Sequence, residues 1–135
     1  MRHLHYIIIL AAIFSFTSCA DINLNVFEKT MPFATHAWSS KEKPQFNFIV
    51  TDTAARYNIF VVLRHTDAYH FNNIWLNIFT TAPGDTAKTQ QLNLQLGDNS
   101  KGWLGAAMDD IIEHRILITK NPVSLRKGTY TFSLE

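Results

Sequence analysis

The sequence predicts an all-β protein: a single antiparallel β-sandwich, jelly-roll or immunoglobulin-like, behind a cleaved signal peptide. Three observations predict it. Apolar residues recur with a period of two in one segment after another, which puts alternate side chains on opposite faces of a pleated strand. Turn-forming residues interrupt the chain between those segments, as at Pro83-Gly84-Asp85 and at 97-GDNSKG-102, in the spacing of sandwiches and small barrels. No segment reads as a βαβ unit and no internal repeat is present, which leaves the α/β and solenoid classes without support.

The chain opens with MRHLHYIIILAAIFSFTSC. Arg2 supplies a basic start, Tyr6 to Phe16 an apolar stretch, and Ser18 a small residue before Cys19, the chain's single cysteine. This is the pattern of a bacterial lipoprotein leader with the lipobox Phe16-Thr17-Ser18-Cys19. A bilayer-spanning helix needs about 20 apolar residues, more than this stretch offers. Cleavage before Cys19 makes residues 1–18 a signal peptide and puts two or more acyl chains on Cys19. Two chains suffice for stable anchoring without spanning. The expected placement is a lipoprotein held to the bilayer by acylated Cys19, facing the periplasm, with the membrane and leaflet left open.

Residues 19–30 then read as a lipidated N-terminus followed by a tether or edge strand, and residues 31–135 as the sandwich domain. That length makes one domain with a sizeable core. With Cys19 acylated, no disulfide can staple it, so packing alone must hold it. Without Arg2, eleven Lys and Arg face eleven Asp and Glu. That balance gives no electrostatic footprint for nucleic acid.

Trp38 is expected to plug one end of the core. In 45-QFNFIVTD-52, Phe46, Phe48 and Val50 share a face. In 56-RYNIFVVLRH-65, Tyr57, Ile59, Val61 and Leu63 line one side while Phe60 and Val62 line the other, so this strand is expected to be central or covered on both faces. Ile74, Leu76 and Ile78 alternate in 73-NIWLNIFTT-81, and Leu92, Leu94 and Leu96 alternate with Gln91, Asn93 and Gln95. Ala106 to Glu113 is expected to form one or two helical turns with Met108, Ile111 and Ile112 inward. Strands at 114-HRILITK-120 and 129-TYTFSLE-135 close the domain.

The densest polar cluster is 64-RHTDAYHFNN-73. His65, Asp67 and His70 are three donors on a connection between strands, and zinc needs three or four in tight geometry. Asp109, Asp110, Glu113 and His114 lie far off in sequence, without H-E-x-x-H spacing. The favoured reading has no metal: Asp67 accepts backbone N–H groups in its turn, and Arg64 pairs with a carboxylate at the sheet end. No serine sits in a nucleophile elbow, no carboxylate pair is singled out for glycoside hydrolysis, and no glycine pattern cradles phosphate. No catalytic residue and no cofactor are expected.

In 102-GWLGAAMDD-110, Gly102 and Gly105 flank Trp103. Glycine permits positive φ or close backbone approach. The indole either closes the core at the sandwich edge or turns outward beside Tyr69, Tyr57 or Trp75, where it makes a protein-docking patch or a sugar platform.

These segments resemble the gliding motility lipoprotein H (GldH) family of the Bacteroidota. The resemblance rests on the lipobox and Cys19, Trp38, 46-FNFIVTDT-53, the segment from Arg56 to Asp85, 102-GWLG-105 and the closing 128-GTYTFSLE-135. Within it stand Asp52-Thr53, Tyr57-Asn58 and a loop carrying Arg64, Thr66, Asp67, Tyr69, Phe71 and Asn73. The resemblance implies a small envelope lipoprotein that serves gliding movement and is associated with type IX secretion, with no enzymatic activity. It carries over Cys19 as the lipid attachment, Arg64, Thr66, Asp67, Tyr69 and Asn73 as a shared loop, and Gly102, Trp103 and Gly105 as a shared turn. The family loop has Asn in place of His65 and Pro in place of His70, so both histidines read as incidental. Relatives run on past the position of Glu135 with a basic, Met-containing tail. The implied partners are envelope proteins, other gliding or secretion lipoproteins among them. The competing class is a carbohydrate-binding or glycan-processing accessory lipoprotein that uses the same aromatics.

Overall fold

A computed structural model describes residues 26–135. The leader, the lipobox and Cys19 lie outside the described residues, as does the start of the tether. The described chain forms strands β1 (Gln45–Val50), β2 (Arg56–Tyr57), β3 (Phe60–His65), β4 (Asn73–Thr81), β5 (Lys88–Gln95), β6 (Gly97–Asp98), β7 (Gly102–Trp103), β8 (Ala106–Met108), β9 (Ile111–Leu117), β10 (Val123–Ser124) and β11 (Gly128–Leu134). No helix occurs among the described residues.

A four-stranded sheet has the order β1-β11-β4-β5, and a three-stranded sheet the order β3-β9-β8. Two short pairs, β10-β2 and β6-β7, complete the set. Every pairing is antiparallel. The period-two pattern is what makes two faces: even-numbered residues of the four-stranded sheet point in and odd-numbered ones out. Val61 of β3 joins Leu76, Ile78 and Leu94 in one buried cluster, so the inward faces of the two sheets share a core. Burying each such side chain contributes about 1.5–3 kcal/mol. Trp38 is half-buried against this cluster, stacked on Phe33 with centroids 5.2 Å apart, and its indole N–H donates to the Glu42 carbonyl at 2.8 Å.

Two expectations are corrected. The strand expected over 56–65 is divided into β2 and β3, and β3 is an edge strand, not a central one. Its second apolar side is not covered by a sheet: Phe60 is 40% exposed and carries the Arg115 guanidinium 4.9 Å above its ring. A cation on an aromatic face shields that ring where a core would otherwise be needed. The expected helical turns at 106–113 are a β8–β9 hairpin. Asp109 takes a positive φ of 54° at its tip, so Met108 pairs with Ile111 and both are exposed, while only Ile112 is buried. The apolar spacing there fitted a helix as well as a hairpin, and the left-handed aspartate decides for the hairpin.

Residues 26–30 form no strand. They run along a cleft of about 490 Å³ bounded by β1 and β3. The Phe27 ring lies tilted against Phe48, centroids 5.5 Å apart. Glu28 meets Arg115 at 3.3 Å and Arg64 at 3.9 Å, and the Thr30 hydroxyl accepts from Arg64 at 3.1 Å. These exposed ion pairs contribute about 0–1 kcal/mol each.

Candidate functional site

Antiparallel register decides what meets at one end of the two sheets. β3 and β9 pair Leu63 with His114 and His65 with Ile112, which sets His65 and His114 diagonally on the inward face. Their rings are nearly parallel, 11° apart with centroids at 5.0 Å, and meet through their Nε2 atoms, 2.9 Å apart. His65 Nδ1 lies 2.8 Å from the Thr66 carbonyl oxygen. A carbonyl only accepts, so Nδ1 carries a hydrogen, and in the neutral ring the bare Nε2 then accepts from His114 Nε2–H. Two N–H groups cannot face each other across that gap, so the arrangement tolerates only one of them.

His114 is 3% exposed. Burial pushes its pKa below the ordinary histidine value, and the neighbouring His65 pushes it the same way. Its folded pKa lies below its unfolded one, so its contribution is whole above about pH 6.5 and is lost as pH falls through that value towards the folded pKa. Thermal denaturation should show stability falling from pH 7 to pH 5 at up to about 1.4 kcal/mol per pH unit. His114→Gln should flatten that slope. An unchanged slope would assign the acid sensitivity to other groups.

Trp103 closes the cluster. Its ring sits edge-on to His65, 4.4 Å between centroids, and against Gly97, where a Cβ would lie 3.2 Å from the indole. Its Nε1–H donates to Asp67 Oδ1 at 2.8 Å. The Asp67 carboxylate therefore serves the indole, not the backbone of its own turn. That turn is held by Thr66, whose carbonyl accepts from Tyr69 N–H at 3.1 Å and whose hydroxyl accepts from Ala68 N–H at 3.4 Å. Tyr69 lies 5.3 Å from His65, and its hydroxyl donates to the Asn73 carbonyl at 2.8 Å. Partial burial raises the Tyr69 pKa, so the phenol keeps its donor proton through the physiological range.

Both uses of glycine are realised in the turn. Gly102 has φ +76°, and Gly105 lies so close to β9 that a Cβ would strike the Glu113 carbonyl oxygen. Asp98 fixes the preceding turn by accepting from the Ser100 hydroxyl, from Ser100 N–H at 2.8 Å and from Lys101 N–H at 3.0 Å; the hydroxyl first, then the two amides, hold its carboxyl below the usual range. The Asn72 carbonyl accepts from both Leu96 and Gly97 N–H, tying loop 66–72 to the start of β6.

The two sequence-singled segments thus meet, but not entirely. Thr66, Asp67, Tyr69, Gly102, Trp103 and Gly105 form one end of the domain. Arg64 points to the outward face of the three-stranded sheet, where Nε donates to Glu113 Oε2 at 2.7 Å, the carboxylate pairing expected for it. Asn73 belongs to the outward face of the four-stranded sheet and donates to Asn93 Oδ1 at 2.7 Å. Cys19 lies outside the described residues. His65, read as incidental, sits at the centre of the cluster. His114 and Glu113, 49 residues from their partners, are the residues sequence reasoning missed as a pair with this loop. Only the alternation of 114-HRILITK-120, with His114 on the apolar phase, signalled that this histidine faces inward.

Above the cluster is an open depression of about 350 Å³, lined by Asp67, Tyr69, Phe71, Asn72, Gly97 and Trp103 among others. Phe71 is 67% exposed beside it, and Leu104 is 50% exposed in the adjoining turn. Trp103 itself is engaged by Asp67 and His65, and Tyr57 donates to the Asp52 carbonyl at 2.6 Å. Trp103, Tyr69 and Tyr57 therefore make no open aromatic platform. Among the described residues, no three His, Cys, Asp or Glu side chains gather as a metal site would need. The arrangement is a braced loop end that holds Phe71 and Leu104 outward.

A model of the GldH lipoprotein family matches residues 25–135. The chain is similar to the gliding motility lipoprotein GldH of Flavobacterium johnsoniae, 32% identical over 124 residues that cover 92% of this chain and 74% of that protein. No solved structure matches the chain.

Proposed function

The chain belongs to the GldH lipoprotein family, and on that premise we propose that it is a non-catalytic accessory of the gliding motility or type IX secretion apparatus. Residues 1–18 are removed as the leader, Cys19 carries the acyl anchor in the periplasm, and residues 19–30 lead to one antiparallel sandwich of jelly-roll or immunoglobulin type. The domain holds envelope proteins, other gliding or secretion lipoproteins among them, at the loop end built by residues 66–72 and 97–105.

One observation supports the docking role most: two large apolar side chains, Phe71 and Leu104, stand exposed on loops that hydrogen bonds and tilted or edge-on ring contacts fix in place. Exposed apolar groups on preorganised loops gain on binding the area they bury, without the cost of ordering the loop. Anchors of this kind carry most of an interface's energy. The Phe71→Ser, Leu104→Ser double variant should fold with an unchanged thermal midpoint. It should also lose most of its recovery with envelope proteins after crosslinking in native membranes. Undiminished recovery of the same proteins would remove the loop end as the docking surface.

A further inference from the structure

The outward face of the four-stranded sheet has a composition that neither the core nor the loop end requires. Its odd-numbered positions on β1, β11, β4 and β5 carry amides, hydroxyls and three apolar side chains, and none carries a charge. Sheet faces turned to water are ordinarily studded with Lys, Arg, Asp and Glu, and the opposite sheet follows that habit with Arg64, Glu113 and Arg115. In the middle of the uncharged face stands Trp75, 62% exposed. Amide pairs flank it on both sides. Asn73 donates to Asn93 Oδ1 at 2.7 Å, and Gln91 donates to Asn77 Oδ1 at 3.1 Å. Each bond spends one end of each amide. Among the described residues, a side-chain carbonyl oxygen of Asn73 and of Gln91, and an NH2 group of Asn77 and of Asn93, have no partner. A charge pair stands at the rim, where Lys43 lies 5.8 Å from the Phe79 ring centroid and pairs with Glu135 at 3.0 Å.

We propose that this face, centred on Trp75 and the amides of Asn73, Asn77, Gln91 and Asn93, binds a neutral glycan. An indole face carries partial negative charge and attracts the polarised C–H groups on the apolar side of a pyranose ring. Amides offer a donor and an acceptor each, which matches a ring of hydroxyls that both donate and accept. An anionic polymer would call for Lys or Arg on the face, and a cationic one for Asp or Glu; both are absent from its outward positions. The row of side chains on β4 and β5 suits an extended chain laid across the two strands. This face is distinct from the loop end, which meets Asn73 through its backbone carbonyl and not through its amide.

The test is affinity electrophoresis of the full-length lipoprotein, solubilised in a polyoxyethylene detergent that has no sugar headgroup. Native gels are cast with laminarin, glucomannan or dextran, and with heparin as the anionic control. At least one neutral matrix should retard the protein and heparin should not. Trp75→Ala should weaken that retardation at least tenfold with an unchanged thermal midpoint, and Asn93→Ala should weaken it less. No retardation in any neutral matrix overturns the proposal, as does equal retardation of Trp75→Ala or retardation by heparin alone. Sedimentation of both forms adds a further arm. A dimer that Trp75→Ala converts to monomer, without glycan retardation, would assign the face to a second copy and likewise overturn it.

Discussion

Gly105→Ala is expected to destabilise the domain by about 3 kcal/mol, near the upper end for overpacking. The added Cβ would lie 2.8 Å from Ile112 Cγ2 and 2.9 Å from His114 Cε1, and closer still to the Glu113 carbonyl oxygen. Flexible side-chain ends can move aside, but this carbonyl is backbone of β9, held between β3 and β8. Relief therefore means parting the β7–β8 turn from the three-stranded sheet or displacing the buried His114. Against a total stability of about 5–15 kcal/mol, such a loss lowers the melting temperature by roughly 10 °C or more. Gly102→Ala provides the contrast. Nothing lies within 4 Å of its Cβ position, and only its φ of +76° is strained, at about 1–2 kcal/mol. Thermal denaturation of both variants should rank Gly105→Ala as the more damaging. The opposite order would mean that the turn does not press on β9 as described.

Trp103→Ala is expected to cost about 2–3 kcal/mol, less than the 3–5 typical of a fully buried Trp because the indole is half-buried. It removes the edge contact with His65, the packing against Gly97 and the hydrogen bond to Asp67 together. Two milder changes separate these contributions. Asp67→Asn keeps an acceptor for the indole N–H and should cost under about 1 kcal/mol. Trp103→Phe keeps an aromatic ring and loses the donor, and should fall between. Denaturant unfolding of the three variants checks the order. If Trp103→Ala matched wild type, the indole would not brace the loop end, and only the backbone and Tyr69 hydrogen bonds would hold Phe71 and Leu104 in place.

How much of this was legible in the sequence depends on the residue. Strand β4 was readable to its ends, because Ile74, Leu76 and Ile78 alternate between turn signals at both sides. Gly102 and Gly105 were readable as a pair with special backbone demands, and the structure assigns one demand to each. The β8–β9 hairpin was not readable. Met108, Ile111 and Ile112 satisfy a helical spacing, and the positive φ of Asp109 leaves no hydrophobic signature. Phe60 and Val62 suggested a covered strand because sequence cannot show that a cation from a neighbouring strand shields a ring. The histidine pair was out of reach for a different reason: its distance of 2.9 Å is set by the β3–β9 register, and register belongs to the fold, not to either segment. Asn73 shows the same limit, since a residue grouped with a loop by sequence turns out to serve a sheet face.

Docking at the loop end is tested by site-specific photo-crosslinking in living cells, with the photoreactive side chain placed at position 71 and, as control, at position 120. Lys120 is exposed and lies outside both loops of the docking end. Position 71 should give an adduct with a protein of the gliding or secretion apparatus, identified by mass spectrometry, and position 120 none. Adducts from position 120 alone, or equal yields of the same adduct from both positions, would contradict that docking.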